Sequence, residues 1–386
     1  MDFRELRRQL PPLADRVYLN TGTSGPMPVD AYRAGEQLAQ QVLREGFSSP
    51  PVLQAYGEVL GRAREAFARV IGANPGEIAL MHSTSEGIGT IATGINWRPG
   101  DEVIVSDLEH MSGVAPWEYL ARYRGVKVVN LRSEDGGLSA RQVEEAITDS
   151  TRLIFVSHVS YSTGAELPVA EVCALARERG VMVLVDGAQS AGHIPVDVES
   201  IGCDFYAFPG QKWLLGPEGT GALYVRRSAL EWLDPIRIGW ASVAGEDAGG
   251  TGIILHGGAR RFETGTENAS DFAALAASVG ILESVGWSRI AARARELAAL
   301  ARSELSRIDG VEIVTPAARA TGLLTFAVRG ADPDAVVKRL WETHRVVIRS
   351  IPRPKALRAS FHAFNNEEDV KCLAEGLKDV LAGLRG

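Results

Sequence analysis

The chain is predicted to be an α/β protein, with a large domain built on a mostly parallel sheet and a smaller α+β domain at its C-terminal end. Three observations predict this. Short, almost wholly apolar runs alternate with helical patterns from about residue 78 to residue 225. Two long helical patterns follow. Strand and helix candidates then succeed one another to the end of the chain.

The elements fall in order. EIALM (77–81) reads as a strand and EGIGTIATGINW (86–97) as a helix. EVIVSD (102–107), VKVVNL (126–131), RLIFVSHV (152–159) and VMVLVDGA (181–188) are short runs rich in β-branched residues. VAEVCALARERG (169–180) is a helical pattern that ends in glycine, as helices often do. Near-continuous apolar strands separated by helices indicate a sheet covered on both faces. Ligands of such sheets sit at the carboxyl ends of the strands. FAALAASVGILESVG (272–286) and SRIAARARELAALARSELSRI (288–308) are the long helices. Strand candidates VEIVT (311–315) and TGLLTFAV (321–328) come next, then a helix near 333–344. RVVIRS (345–350) and ALRASFH (356–362) precede a last helix from about Glu367. The large domain is expected over 16–265 and the small one over 266–386, with residues 1–15 packing near the latter. Residues 239–270 are glycine-rich and irregular. Their interleaved Trp240, His256, Arg260, Arg261 and Phe262 argue for an ordered functional loop over a disordered linker.

Composition excludes several classes. Of 386 residues, 45% are hydrophobic and 23% charged, which is ordinary globular usage. That length exceeds a single comfortable core, so two domains are expected. With 41 basic against 48 acidic residues and no basic run, nucleic acid is not expected as a partner. No apolar stretch reaches the roughly 20 residues of a membrane helix. The first residues, MDFRELRRQLPPLADR, lack the apolar core of a signal peptide. Cys173, Cys203 and Cys372 are scattered, which suits a reducing cytoplasm without disulfides or zinc. The 7 histidines are equally dispersed, so no metal is expected.

Four segments carry chemistry. In VDGAQSAG (185–192), Asp186 ends an apolar strand, where a carboxylate is costly to bury without a cationic partner. It either caps the next helix or faces a basic ligand atom. Gln189 follows it in the turn. In DFYAFPGQKWLLGPEGTGALYV (204–225), Lys212 stands beside Trp213, Leu214 and Leu215. Apolar company lowers an amine's pKa and frees its lone pair, although a single lysine in a turn is more often at the surface. The glycines there form neither a P-loop nor GxGxxG. In HSTSEGIG (82–89), Ser83, Thr84 and Ser85 precede a helix, which is either a plain N-cap or an anion site. In SDLEHMSGVAPW (106–117), His110 lies just past a strand end, where it is structural, stacks on a ring or exchanges protons. A phosphate site, a stacking group, a buried carboxylate and a desolvated lysine at strand ends of one sheet match the needs of pyridoxal 5'-phosphate (PLP).

With these residues in view, the chain resembles the class V aminotransferases, the fold-type I PLP enzymes that include cysteine desulfurases. The similarity runs from YLNTGTSGPMP (18–28) to ALRASFHAFNNEED (356–369). VDGAQSAGHIPVDV followed by DFYAFPGQKWLLGPEGTGALYV is its most specific part. The resemblance implies a seven-stranded, mostly parallel large-domain sheet and a Schiff base between PLP and Lys212. It implies that Asp186 pairs with the ring nitrogen, Gln189 contacts the ring hydroxyl, and His110 stacks on the ring. It puts Thr84, Ser85 and Gln211 at the phosphate. RFETGTEN (261–268) matches the segment a partner subunit lends to the phosphate, which points to Thr266 and a homodimer. Arg358 matches the arginine that binds the substrate carboxylate, with Arg349, Asn20, Tyr161 and Trp240 expected around the substrate.

The departures are informative. Pro209 and Gln211 replace the serine and histidine usual before the lysine, and Tyr161 stands where desulfurases tend to have asparagine. IRSIPRPKALRAS (348–360) lacks the persulfide-forming cysteine of desulfurases. The cystine and cysteine C–S lyases also lack it. They share the patterns of IGWASV (238–243) and GGARRFET (257–264), and a pair of arginines placed like Arg349 and Arg358. The isopenicillin N epimerase-like branch is similar too. The leading expectation is a β-eliminating lyase acting on a cysteine- or cystine-type sulfur amino acid and releasing pyruvate, ammonia and a sulfur product. A transaminase, an epimerase, a desulfurase with a displaced cysteine and a PLP-binding sensor are the alternatives.

Overall fold

One sheet of seven strands organises the first two thirds of the chain. Its order is Ile78–Met81, Gly221–Val225, Phe205–Pro209, Met182–Asp186, Thr151–Ser157, Glu102–Ser106, Lys127–Leu131. Gly221–Val225 runs antiparallel to both neighbours, and the remaining pairs are parallel. The description comes from a computed structural model and covers residues 1–250 and 252–385; Thr251, in the glycine-rich stretch, and Gly386 lie outside the described residues.

The apolar runs are continuous because both faces of the sheet are covered. Side chains alternate across a strand. Ile154 and Val156 enter one core while Leu153 and Phe155 enter the other, and Val183 and Val185 alternate likewise with Met182 and Leu184. Burying each such side chain contributes about 1.5–3 kcal/mol, so the inner positions of the central strands are apolar. There the chain turns and the polar residues begin. Gly180, at φ 67°, turns the chain out of helix Val169–Glu178 toward the next strand.

Two helices, Val29–Glu45 and Pro50–Ile71, had no counterpart in the sequence reading. Leu38 of the first, and Tyr56, Val59, Phe67 and Ile71 of the second, join the core on one face of the sheet. Helix Ala269–Val285 lies with them. Its Phe272, Leu275 and Val279 join that same core, although the sequence reading put this helix in the small domain. Its last turn changes company. Leu282 and Val285 pack with Leu6, Leu10, Leu13, Leu215 and Phe364 between the two cores.

The C-terminal sheet has four antiparallel strands in the order Val311–Ile313, Leu323–Val328, Ala356–Ser360, Arg349–Ile351. Helices Trp287–Leu305, Pro333–His344 and Glu367–Arg385 complete its core with Leu297, Leu340 and Leu373. The expected strand 345–350 is split. Val346–Val347 pairs in parallel with Val17–Tyr18 near the N-terminus, and Arg349 begins the strand beside Ala356–Ser360. This pairing, with the bridge of Asn20 to Ser360, carries residues 20–24 to the small domain.

Smaller differences have local causes. The helix expected from residue 86 starts at Thr84, because Ser83 caps it by accepting the Glu86 N–H, and it stops at Gly94. The irregular stretch 239–270 contains an antiparallel ribbon, Val243–Glu246 with Ile253–Leu255. Among the described residues, no single helix is long and apolar enough to cross a membrane.

Candidate active site

A cavity opens at the carboxyl ends of the parallel strands. Thr84, Ser85, His110, Tyr161, Asp186, Gln189, Gln211 and Lys212, eight residues singled out from the sequence, line it together. His110, Tyr161, Gln189, Gln211 and Lys212 come from segments that follow strands of the large sheet, which is why residues so distant in sequence converge.

Asp186 is the last residue of its strand and 6% exposed. One oxygen accepts the Ala188 N–H at 2.8 Å. Among the described residues it has no ion pair within 4.0 Å. Burial raises its carboxyl above the ordinary range, and the charge of Lys212 offsets this in part. Lys212 makes no side-chain hydrogen bond among the described residues. Burial lowers its amine to about 8, the Asp186 charge works against this, and the charges of Arg358 and Arg349 add to it. A sizeable neutral fraction near pH 8 gives the amine the free lone pair that a carbonyl-binding lysine requires.

His110 caps helix Met111–Arg124. Its Nδ1 accepts the Ser112 N–H at 3.2 Å, which leaves the ring proton on Nε2. Burial, then Lys212, Arg349 and Arg358, lower it to about 4, so the imidazole is neutral at pH 7. Tyr161 meets it edge-on at 4.9 Å. Thr84 and Ser85 open helix Thr84–Gly94, where backbone N–H groups have no carbonyl to bond. Gln211 Oε1 is buried without a partner. Gln189 is more committed than expected. It donates to the Gly22 carbonyl at 2.8 Å and accepts from Trp213 Nε1 at 2.9 Å. Its second amide proton remains for a ligand.

The two arginines come from neighbouring strands of the small sheet and face each other in register. Arg358 is 0% exposed. It donates to the Tyr161 carbonyl at 2.9 Å and to Thr23 Oγ1 at 3.2 Å, and its Nε is unpartnered. Arg349 reaches the same Thr23 oxygen at 3.3 Å. Asn20 accepts the Thr23 hydroxyl at 2.8 Å. Two guanidinium groups therefore share one neutral acceptor. Burial first and Arg349 second lower Arg358 to about 9. A carboxylate satisfies such a pair with bidentate geometry.

Two expected residues lie elsewhere. Trp240 is 60% exposed and away from this cavity. Thr266 is exposed and lines a separate surface groove with Phe47 and Tyr56. Other residues were missed by the sequence reading. Gly22 passes so close that a Cβ there would meet Gln189 Oε1 at 2.9 Å and Arg358 Nη2 at 3.0 Å. Thr23 sits between the arginines, and Ser157 lines the cavity. The TGTSG run beside a short strand was the available signal for the first two.

The cavity fits PLP. A buried carboxylate lacks a cation, an unpaired amine faces it, Gln211 has a free acceptor, and a helix N-terminus with two hydroxyls closes one end. Of the cysteines, none lines the cavity. Cys173 and Cys203 are buried, whereas Cys372 is half-exposed on a helix face. No group of three or more metal-ligating side chains exists among the described residues.

Comparison with known proteins identifies the family and the fold. The model of the class-V aminotransferase family matches residues 20–373. A probable cysteine desulfurase of Methanothermobacter thermautotrophicus is 35% identical over 98% of each chain. The isopenicillin N epimerase of Streptomyces clavuligerus is 32% identical over 99% of each. A solved structure of a C-DES mutant, with glycine covalently linked to its PLP cofactor, has a TM-score of 0.91 at 30% identity over 97% of this chain and 99% of that one. A second C-DES structure, the cystine C–S lyase with its product cysteine persulfide, gives 0.91 at 30% identity over 96% and 99%. The fold is the expected fold-type I architecture, and the chain belongs to the class-V aminotransferase family.

Proposed function

We propose that the protein is a PLP-dependent β-eliminating C–S lyase acting on cysteine- or cystine-type amino acids. The observation that carries the choice among family reactions is the absence of a thiol from the cavity, combined with the complete arginine pair. A desulfurase needs a thiolate to take the sulfur, and burial instead raises Cys173 to about 12 and Cys203 well above its ordinary range. The likeness to C-DES, itself described as a cystine C–S lyase, supports the same reading.

When bound, the cofactor supplies a protonated ring that takes up the electron pair released at the substrate α-carbon. Lys212 is the amine that carries it. Asp186 would hold the ring-nitrogen proton, Gln189 would meet the ring hydroxyl, and His110 would pack on the ring with its Nε2–H as donor. Thr84, Ser85 and Gln211 would hold the phosphate. Thr266, remote from its own cavity, is proposed to serve the phosphate of a partner copy in a homodimer. Arg358 and Arg349 take the substrate carboxylate in place of Thr23 Oγ1, with Asn20 and Tyr161 beside them. Lys212 Nζ would accept the substrate α-proton, as its lowered pKa allows. The Cβ–S bond then breaks with its electron pair on sulfur, and hydrolysis yields pyruvate and ammonia. Trp240 is proposed at the substrate only if the partner copy brings it there.

Incubation with cystine and cysteine, with all products scored, tests this. Pyruvate and ammonia in equal amounts are expected. Alanine with a persulfide would mean a desulfurase. A keto acid formed only with an amino acceptor would mean a transaminase. A racemised substrate would mean an epimerase, and no product at all a PLP-binding sensor.

A further inference from the structure

A second buried carboxylate stands behind the cavity. Glu109, immediately before His110, is 6% exposed. Both its oxygens are occupied. Ser106 Oγ donates to Oε1 at 2.6 Å and Ser157 Oγ donates to Oε2 at 2.5 Å. Ser106 Oγ also accepts the Leu108 N–H at 3.3 Å, which directs its own proton to Glu109. Among the described residues, Ser157 Oγ has Glu109 as its one partner. Ser157 is also the parallel-register neighbour of Asp186, and both line the cavity. A buried carboxylate with two hydroxyls and no cation costs stability, and the chemistry derived so far does not use it.

We infer that Glu109 is a positioning residue that keeps Asp186 a strong proton acceptor, by drawing the Ser157 hydroxyl proton away from it. The inference rests on the reading that Asp186 faces the ring nitrogen of PLP. A hydrogen bond donated to a carboxylate lowers its basicity. With its proton on Glu109, Ser157 has only lone pairs left for its neighbour, so Asp186 keeps the Ala188 N–H as its single protein donor. Negative charge on Glu109 acts in the same direction. Burial, with the Asp186 charge adding to it, pushes the Glu109 carboxyl up to about 7, as two carboxylates near one low-dielectric site require. A protonated ring nitrogen supplies the cation that this pair otherwise lacks.

Holoenzyme reconstituted with PLP labelled with nitrogen-15 in the ring provides the test, since the nitrogen chemical shift reports protonation without turnover. Wild type is expected at the protonated position and Asp186→Asn at the unprotonated one. Glu109→Gln keeps the shape but removes the charge, and is expected to move the signal part-way toward the Asp186→Asn position. A change of about one pKa unit corresponds to a roughly tenfold fall in kcat, with KM within about twofold. Adding Ser157→Ala to Glu109→Gln removes the freed donor and should return the signal toward wild type, which a merely structural role would not do. If Glu109→Gln does not bind PLP, Glu109→Asp, too short to hold Ser157, should give the same partial displacement. Superimposable signals for wild type and the Glu109 variant, with Asp186→Asn displaced, would overturn the inference and leave the Asp186 reading intact. Coincidence of wild type and Asp186→Asn would remove both.

Discussion

The two ends of the site are built differently: the cavity itself, and the arginine pair that adjoins it through Tyr161 and Gly22. The end with Lys212, Asp186, His110 and Thr84 belongs to one sheet, whose strands deliver each residue at their carboxyl ends. The end with Arg349, Arg358, Thr23 and Asn20 is assembled from the two extremities of the chain. There the pairing of Val17–Tyr18 with Val346–Val347 brings residues 20–24 onto the small sheet. Gly22 is the seam, in close contact with Gln189 on one side and Arg358 on the other. A cofactor end made by one rigid layer and a carboxylate end made by a junction should respond differently to perturbation. Changes at the first should abolish chemistry, whereas changes at the second should weaken substrate capture.

The largest expected effect is at the cofactor end. Lys212→Ala removes both the proposed cofactor-carrying amine and the proposed base, so turnover should fall at least about 10³-fold, since a positioned acid–base group contributes roughly 10²–10⁴-fold. The visible absorption of the lysine-bound cofactor should vanish as well. A retained band would place the amine elsewhere. At the junction, Arg358→Lys keeps the charge but loses the planar fork. Steady-state kinetics should show kcat/KM down roughly 10–100-fold, as for loss of a charge-assisted hydrogen bond worth about 1.5–3 kcal/mol, with PLP affinity little changed. Equal losses in PLP binding would erase the distinction between the two ends.

A buried histidine between the two sheets makes this region acid-sensitive too. His193 donates through Nδ1 to the Gln189 carbonyl and accepts the Gly322 N–H at 2.8 Å, while its ring stacks on Trp213 at 3.6 Å. Burial lowers it to about 3 from 6.5. Below pH 6.5 the unfolded chain gains a proton that the native state refuses, so this contribution is full above that pH and is lost as the pH falls. The slope is about 1.4 kcal/mol per pH unit for one such group. Denaturant unfolding between pH 7 and 5 should therefore show a slope for His193→Gln shallower by about that amount than for wild type. Parallel curves would mean the imidazole is not held neutral. The smallest effect belongs to Thr23→Val, which removes the acceptor shared by both arginines at constant shape. KM should change by about fivefold, near 1 kcal/mol, with kcat unaltered.

The same contrast explains what could be read from sequence. The cofactor end was legible because a polar residue closing an apolar strand is conspicuous, as with Asp186 after VMVLV or His110 after EVIVSD. The helices Val29–Glu45 and Pro50–Ile71 escaped because the alternation that marks the sheet begins only at residue 77. Thr23 and Gly22 escaped because their importance comes from a parallel pairing between chain ends, which no local pattern encodes. Ser157 looked like any residue of a buried strand, and its meaning depends on its register with Asp186. Trp240 and Thr266 were placed by resemblance alone, and within one chain neither reaches the cavity.

The central claim is that Lys212 carries the cofactor. Borohydride reduction of the holoenzyme, followed by peptide mass spectrometry, tests it most directly. The account predicts one stable phosphopyridoxyl addition, on the peptide containing Gln211, Lys212 and Trp213. No addition, or an addition on another lysine, would contradict it.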